Sequence, residues 1–346
     1  MKYSRRTFIR LQGMAAGGLL LNHSLQSNVS LAVSELRKED SSFKLAFCGS
    51  EDEFTRYRDL LGNRFTGEFK RVEPSGIRRM HPVAVWIDAG VRNRVKLAAE
   101  WMQAGMHILM EPPMAVNVVE FDQLQESANI SNVRLGITLF HRFLTSSEKA
   151  ADLLARGTIG QIRSCRIQLN DPNRDSLMKG RGNTFLAEGI CLVDLARFIL
   201  GTTLTSLLAS RVAEAKASIP AKNLNLMLYF TDIPLTFSNS KDHFDNVAIW
   251  SVLVIGEKGQ LRLSAGNRLD LLENGKWRSV EIGKGEDDGN AVRMLVNDFR
   301  LSCMQGKEPE VNALDGLALC QMEDASLRSA LSGQTINISQ TQHDTR

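Results

Sequence analysis

The residues of this sequence that could do chemistry by type and spacing begin just after a short apolar run. Lys44-Leu45-Ala46-Phe47-Cys48-Gly49 ends in glycine and is followed by Ser50-Glu51-Asp52-Glu53-Phe54. A strand, a glycine turn and a helix in that order open a dinucleotide site, where further glycines let the backbone approach the pyrophosphate and aim helix amides at it. With Gly49 as the first glycine, Glu51 and Phe54 stand at the other two positions. Three acids there neutralise the positive helix end from within, and Glu51 is expected to repel a pyrophosphate by about 1 kcal/mol or more. Farther along, Phe140-His141-Arg142-Phe143 sets an imidazole beside a guanidinium at a strand end, where clefts in parallel sheets open. Arg92 and Arg94 could hold an anion or simply cover a solvated helix start. Asp171, Arg174, Asp175, Lys179 and Arg181 form a polar loop of the kind that contacts ligands or is merely solvated. Cys48, Cys165, Cys191, Cys303 and Cys320 are odd in number and lack C-x-x-C spacing. That points away from a zinc site or disulfide framework and toward small buried hydrophobes.

The elements that must position these groups can be read from periodicity. Apolar runs at 44–49, 83–87, 107–110 and 133–139 alternate with helical patterns at 51–61, 94–104 and 119–128. Such alternation predicts a doubly wound parallel sheet of the dinucleotide-binding type. After about residue 145 the pattern changes. Helices at 147–155 and 185–200 flank a strand at 162–169, and strand-like runs follow at 206–212, 224–230, 247–255, 260–264, 269–272 and 278–282. Hairpin succession predicts an α+β domain with a largely antiparallel open sheet. Closing helices are expected at 291–304 and 314–331. The domains read as 43–145 and 146–346.

The chain opens Met1-Lys2-Tyr3-Ser4-Arg5-Arg6-Thr7-Phe8-Ile9-Arg10, then a short glycine-bearing apolar stretch, Met14 to Leu21. This resembles a twin-arginine export signal, with a charged start and an apolar run too short to span a bilayer. The reading assigns 1–34 to the signal and 35–42 to a polar linker, and implies a periplasmic protein. Membrane association is expected only through an uncleaved leader. Lys and Arg total 42 against 39 Asp and Glu, so the net charge of +3 is small and forms no basic stripe that would imply nucleic acid.

Several segments, in order and spacing, resemble the Gfo/Idh/MocA oxidoreductases. Ala104-Gly105-Met106-His107 with Glu111-Pro112-Pro113 is similar to that family's A-G-K-H and E-K-P segment. Gly157-Thr158-Ile159-Gly160 is similar to its G-x-I-G entry to the second domain, and Gly189 to Leu195 to its G-x-H-x-x-D-L helix. Gly256-Glu257-Lys258-Gly259 matches its G-x-x-G turn, and Gly306-Lys307-Glu308-Pro309 with Asp315-Gly316 its C-terminal helices. The resemblance implies hydride transfer between NAD(P) and a hydroxyl of a sugar or cyclitol, in dimers or tetramers formed through the open sheet. It leaves Gly49, Ser50 and Glu111 to hold the cofactor.

The same alignment marks departures. Pro112 stands for the lysine that holds the substrate hydroxyl and assists its proton transfer, which proline cannot do. Cys191 replaces the acid–base histidine, Ala187 an aspartate with Glu188 beside it, and Gly90 to Arg94 the P-x-x-x-H segment. Glu111, Arg142, Glu188, Cys191 and Asp194 remain as candidate catalytic residues. Three functions fit. One is an exported carbohydrate-binding chain without standard NAD(P) chemistry, homo-oligomeric or working beside an active paralogue. Another is an NAD(P)-dependent sugar oxidoreductase with an altered site. The last is a cofactor-independent lyase or hydrolase with Glu188, His141 or Asp194 as base.

Overall fold

A computed structural model describes residues 43–65, 67–115, 117–170, 189–202, 204–212, 223–230, 232–240, 249–283 and 288–338. The twin-arginine segment, the linker, the 171–181 charged loop, Ala187 and Glu188 lie outside the described residues.

The first layer is a five-stranded, all-parallel sheet of β1 (Lys44–Cys48), β2 (Glu68–Arg71), β3 (Ala84–Ile87), β4 (His107–Met110) and β5 (Leu135–Ile137), in the order β2-β1-β3-β4-β5. The order reverses at β1, so the crevice between the carboxyl ends of β1 and β3 is the switch point where ligands enter such sheets. Helices α1 (Glu51–Leu61), α3 (Arg94–Gln103) and α4 (Val118–Ile130) make the crossovers, with the single turn α2 (Ile77–Met80) before β3. The bounds of α1 follow from its caps. Ser50 accepts from the Glu53 amide, three acids fill the first turn, and Gly62 ends it at a φ of 55°. Under α1 lies an aromatic cluster: Tyr57 and Trp86 rings are 4.3 Å apart, and Phe47 lies 5.8 Å from Trp86.

The second layer is a nine-stranded sheet in the order β13-β12-β11-β10-β6-β9-β8-β7-β14. Its strands are β6 (Ile162–Asn170), β7 (Leu204–Val212), β8 (Asn223–Phe230), β9 (Ile233–Ser240), β10 (Ile249–Gly256), β11 (Gly259–Ser264), β12 (Arg268–Glu273), β13 (Lys276–Ser279) and β14 (Ile336–Asn337). All pairings are antiparallel except β6 with β9. One face is buried by Cys165, Ile167, Phe237, Val252, Val254 and Leu261, against α5 (Thr145–Ala155) and α6 (Gly189–Leu200). The closing helices α7 (Asp288–Gln305) and α8 (Ala313–Ser332) return to the first layer, α7 against α1 and α8 against α4 and β5. No helix among the described residues is long and apolar enough to cross a membrane.

Three strands escape the sequence pattern, among them the two-residue β14 after the last helix. β2, Glu68-Phe69-Lys70-Arg71, is a short edge strand with polar alternation, and β9 opens on Ile233-Pro234, which reads as a turn. Pro234 is tolerated because it stands at the strand's start.

Candidate functional site

The turn at the switch point is built around Asp88, at the carboxyl end of β3. Only 4% of this residue is exposed, and its carboxylate accepts the Ser50 amide at 3.3 Å and the Gly90 amide at 3.1 Å. It therefore bridges the two loops that flank the crevice. Gly49 is required by this closeness. A Cβ there would lie 2.5 Å from the Asp88 Cβ and 2.8 Å from its Oδ2. Arg71, at the end of β2, donates Nε to the Gly49 carbonyl at 2.9 Å and pairs with Glu51 and Glu73. The sequence points to Glu51 as the negative charge in this turn. The structure instead turns Glu51 outward, with its side chain 69% exposed and 3.5 Å from Arg71. The carboxylate inside the turn is Asp88. A lone aspartate after a strand carries no local sign of such a role, because β1 and β3 come together only in the folded sheet.

Glu111 ends β4. Its Oε2 accepts the Ala89 amide at 3.3 Å, so it fixes the same β3–α3 loop from the other side. It also hydrogen-bonds Tyr57 of α1. Burial, then the Glu111 charge, raise the Tyr57 phenol well above its ordinary value, so the tyrosine stays a neutral donor. Next in the chain, the peptide between Pro112 and Pro113 is cis.

Arg142 and Asp194 meet each other. Arg142 follows β5 in a 3₁₀ turn and grips Asp194 of α6 with two bonds of 2.7 and 2.6 Å. The same guanidinium reaches Asp315 at the start of α8 at 2.9 Å. Arg197, one turn after Asp194, completes the square by bonding both aspartates. Asp315 in turn caps α8, accepting the Asn312 amide. Burial works to lower the Arg142 pKa, but its bonds to Asp194 and the two aspartate charges outweigh it and raise the value above the ordinary one. Burial likewise works to raise Asp315, and Arg142 with Arg197 outweigh it and hold the carboxyl low. With two guanidiniums on its oxygens, Asp194 is poorly placed to act as a base. The cluster joins three elements that are remote in sequence.

His141 is half-buried with its Nδ1 shut off from solvent. It stacks on Phe140 at 4.2 Å and meets the ring of Trp250 on β10 edge-on at 5.6 Å. Burial, with the Arg56 charge, pulls its pKa down to about 4, so the ring is neutral at pH 7. Cys191 is a half-buried cysteine in the first turn of α6, outside any disulfide. Arg94 is no solvated helix start: it is 7% exposed and donates to the Ala89 carbonyl at 3.0 Å. Beside it a cavity of about 760 Å³ opens between α3 and α4, lined by Arg92 and Lys96 as well as Glu100 and Glu120. Among the described residues no group of three His, Cys, Asp or Glu could hold a metal ion.

No family model matches the chain. A D-apiose dehydrogenase of Paraburkholderia graminis is 23% identical over 269 residues, covering 71% of this chain and 70% of that protein. An inositol dehydrogenase homologue from Azotobacter vinelandii, solved with NADH and myo-inositol, superposes with a TM-score of 0.75 at 16% identity, covering 86% of this chain and 98% of the other. The fold is that of the Gfo/Idh/MocA oxidoreductases. A levoglucosan dehydrogenase of the same fold, in complex with NADH and L-sorbose, gives a TM-score of 0.70 at 14% identity over 86% of this chain and 98% of that one.

Against a dinucleotide, the first turn of this Gfo/Idh/MocA fold is a poor fit. The Ser50 and Gly90 amides already hold a carboxylate, and Arg71 is committed to the Gly49 carbonyl and to Glu51 and Glu73. A phosphate about 4 Å from Asp88 meets a repulsion of about 4 kcal/mol at the effective dielectric of a protein surface. Glu51, Asp52 and Glu53 add to it.

Proposed function

We propose that this chain binds a carbohydrate or cyclitol on a sugar-dehydrogenase fold and does so without a nicotinamide dinucleotide. The ligand class comes from its relatives, whose names carry D-apiose, myo-inositol and levoglucosan. The observation that carries the loss of cofactor is Asp88, an internal anion in the switch-point crevice that bridges the Ser50 amide, at the entry to α1, and the Gly90 amide. The replacement of the E-K-P lysine by Pro112 and of the site histidine by Cys191 agrees with it. A second reading, NADP-dependent oxidation with an altered site, is favoured by Arg71. An arginine near the end of the second strand is where such folds accommodate the 2′-phosphate. Titration of the purified protein with NADH and NADPH, followed by nucleotide fluorescence, separates the two. The first reading expects no saturable binding at millimolar nucleotide. Micromolar binding of either nucleotide establishes the second.

The same reading includes export by the twin-arginine route and self-association, or association with an active paralogue. Met227, Tyr229 and Trp277, exposed on the outer face of the nine-stranded sheet, support the association. With Arg5 and Arg6 both changed to lysine, cell fractionation should find the protein retained in the cytoplasm, and periplasmic recovery of that variant would refute the route.

A further inference from the structure

The cavity of about 760 Å³ between α3 and α4 stands apart from the groups described above: neither Gly49, Ser50 and Asp88 of the switch-point turn nor Glu111, Arg142 and Asp194 line it. Its size falls in the range of small-molecule pockets, roughly 300–1,000 Å³. Its floor is apolar, formed by Val91, Val95, Ala99, Met114 and Ala115, of which Met114 and Ala115 are fully buried.

The walls are graded in charge. Just before α3 and at successive turns along it, the lining residues are Arg92, Lys96, Glu100 and Gln103; α4 adds Glu120 and Gln123. Both helices follow parallel strands of one sheet, so both begin at the same end of the cavity. That end holds Arg92, Arg94 and Lys96 against one carboxylate, Glu120 in the first turn of α4. The positive end of α3 adds to the cations, because no acid and no side-chain cap stands in its first turn. One turn farther along, the signs change to Glu100 with the Gln103 and Gln123 amides. Arg92, Lys96 and Glu100 make no ion pair or side-chain hydrogen bond among the described residues. Their charges therefore face the cavity uncancelled by a partner, and a concave wall focuses the field of such groups.

We propose that this cavity binds a short zwitterionic peptide with apolar side chains, its carboxylate toward Arg92 and Lys96 and its ammonium toward Glu100. The inference is independent of the carbohydrate reading. Charge selects the class. A phosphate or nucleotide brings negative charge alone and meets Glu100 and Glu120, whereas a neutral polyol would take water from charged groups and return no counter-charge. Length selects within the class. Lys96 and Glu100 are four residues apart, about 6 Å along the helix, and an extended dipeptide spans about 7 Å. A single amino acid carries both charges on one carbon and cannot reach both groups. The apolar floor then takes the side chains, as in ligand pockets generally.

The test uses the full chain and calorimetry at neutral pH with three probes: Leu-Leu, N-acetyl-Leu-Leu, which lacks the ammonium, and Leu-Leu amide, which lacks the carboxylate. The wild type is expected to bind Leu-Leu saturably and each blocked peptide about tenfold more weakly, the loss of one charge-assisted contact. Glu100→Gln should weaken Leu-Leu by about the same factor and leave N-acetyl-Leu-Leu unchanged. Arg92→Ala with Lys96→Ala should do the reverse, weakening Leu-Leu and leaving Leu-Leu amide unchanged. The variants should melt with the wild type, since none of the three side chains holds a partner in the fold. A wild type that does not bind millimolar Leu-Leu overturns the proposal. Equal affinity for all three peptides overturns the assignment of the two charged ends, and binding indifferent to every substitution places the peptide elsewhere and overturns the site.

Discussion

Two places in this molecule offer polar groups to a would-be ligand, and they differ in whether those groups are already used. At the switch point every named donor has an internal acceptor: Ser50 and Gly90 give their amides to Asp88, Ala89 gives its amide to Glu111, and Arg71 is divided among Gly49, Glu51 and Glu73. At the end of the second sheet, Asn239 and the His141 Nδ1 have no hydrogen-bond partner among the described residues. The difference matters because a satisfied network resists an incoming ligand, which must replace bonds as good as those it breaks. An unmet group gains from any ligand that fits. Side chains fill the first place with bonds, while at the second a buried amide, 3% exposed, is left unmet among the described residues.

The largest effect should come from the cluster that holds the frame on which both places sit. Asp194→Ala leaves the Arg142 guanidinium, 8% exposed, without its bidentate partner. Breaking a buried pair in this way costs about 3–5 kcal/mol, to be read from urea unfolding. A loss under about 1 kcal/mol would mean that the cluster behaves like a surface pair. Its pH dependence has a definite sign. Asp315 is held below its ordinary value, so its share of stability is present above the unfolded carboxylate pKa of about 4 and is lost as pH falls through the lower folded value. Acid unfolding of the wild type should therefore steepen below about pH 4, and Asp315→Asn should remove part of that slope.

The same contrast explains what could be read from sequence. The parallel sheet, the position of α1 and the open antiparallel sheet follow from apolar periodicity and from caps such as Ser50 and Gly62, which are local signals. Arg142 and Asp194 are legible as candidates by type, but their pairing spans 52 residues and the bond to Asp315 spans 173, so their joint structural role has no local signature. Asp88 was hidden for a related reason: an aspartate before Ala89-Gly90 looks like turn chemistry, and it is indeed also a turn, with its carboxylate on the Gly90 amide. Asn239 sits in Ser238-Asn239-Ser240, a string that reads as a loop, at the far end of a strand opened by Pro234. Its burial arises from pairing with β6 and β8, which periodicity in β9 alone does not reveal.

The smaller effect is the more pointed test of the closed place. Asp88→Ala leaves the amides of Ser50 and Gly90 without their acceptor, at a cost of about 1–3 kcal/mol in urea unfolding. It also removes the charge that repels a phosphate, while the turn and Gly49 remain. Inorganic pyrophosphate should then restore part of the lost stability, since a ligand that binds only the folded state stabilises it by mass action. The wild type, with its own carboxylate in place, should gain nothing from the same salt. Asn239→Leu, at the far end of the second sheet, should be equally indifferent to it. An Asp88→Ala variant as stable as the wild type, or blind to pyrophosphate, would mean that the aspartate merely shapes a turn. The distinction between a filled cradle and a vacant one would then have to rest on Glu51, Asp52 and Glu53 alone.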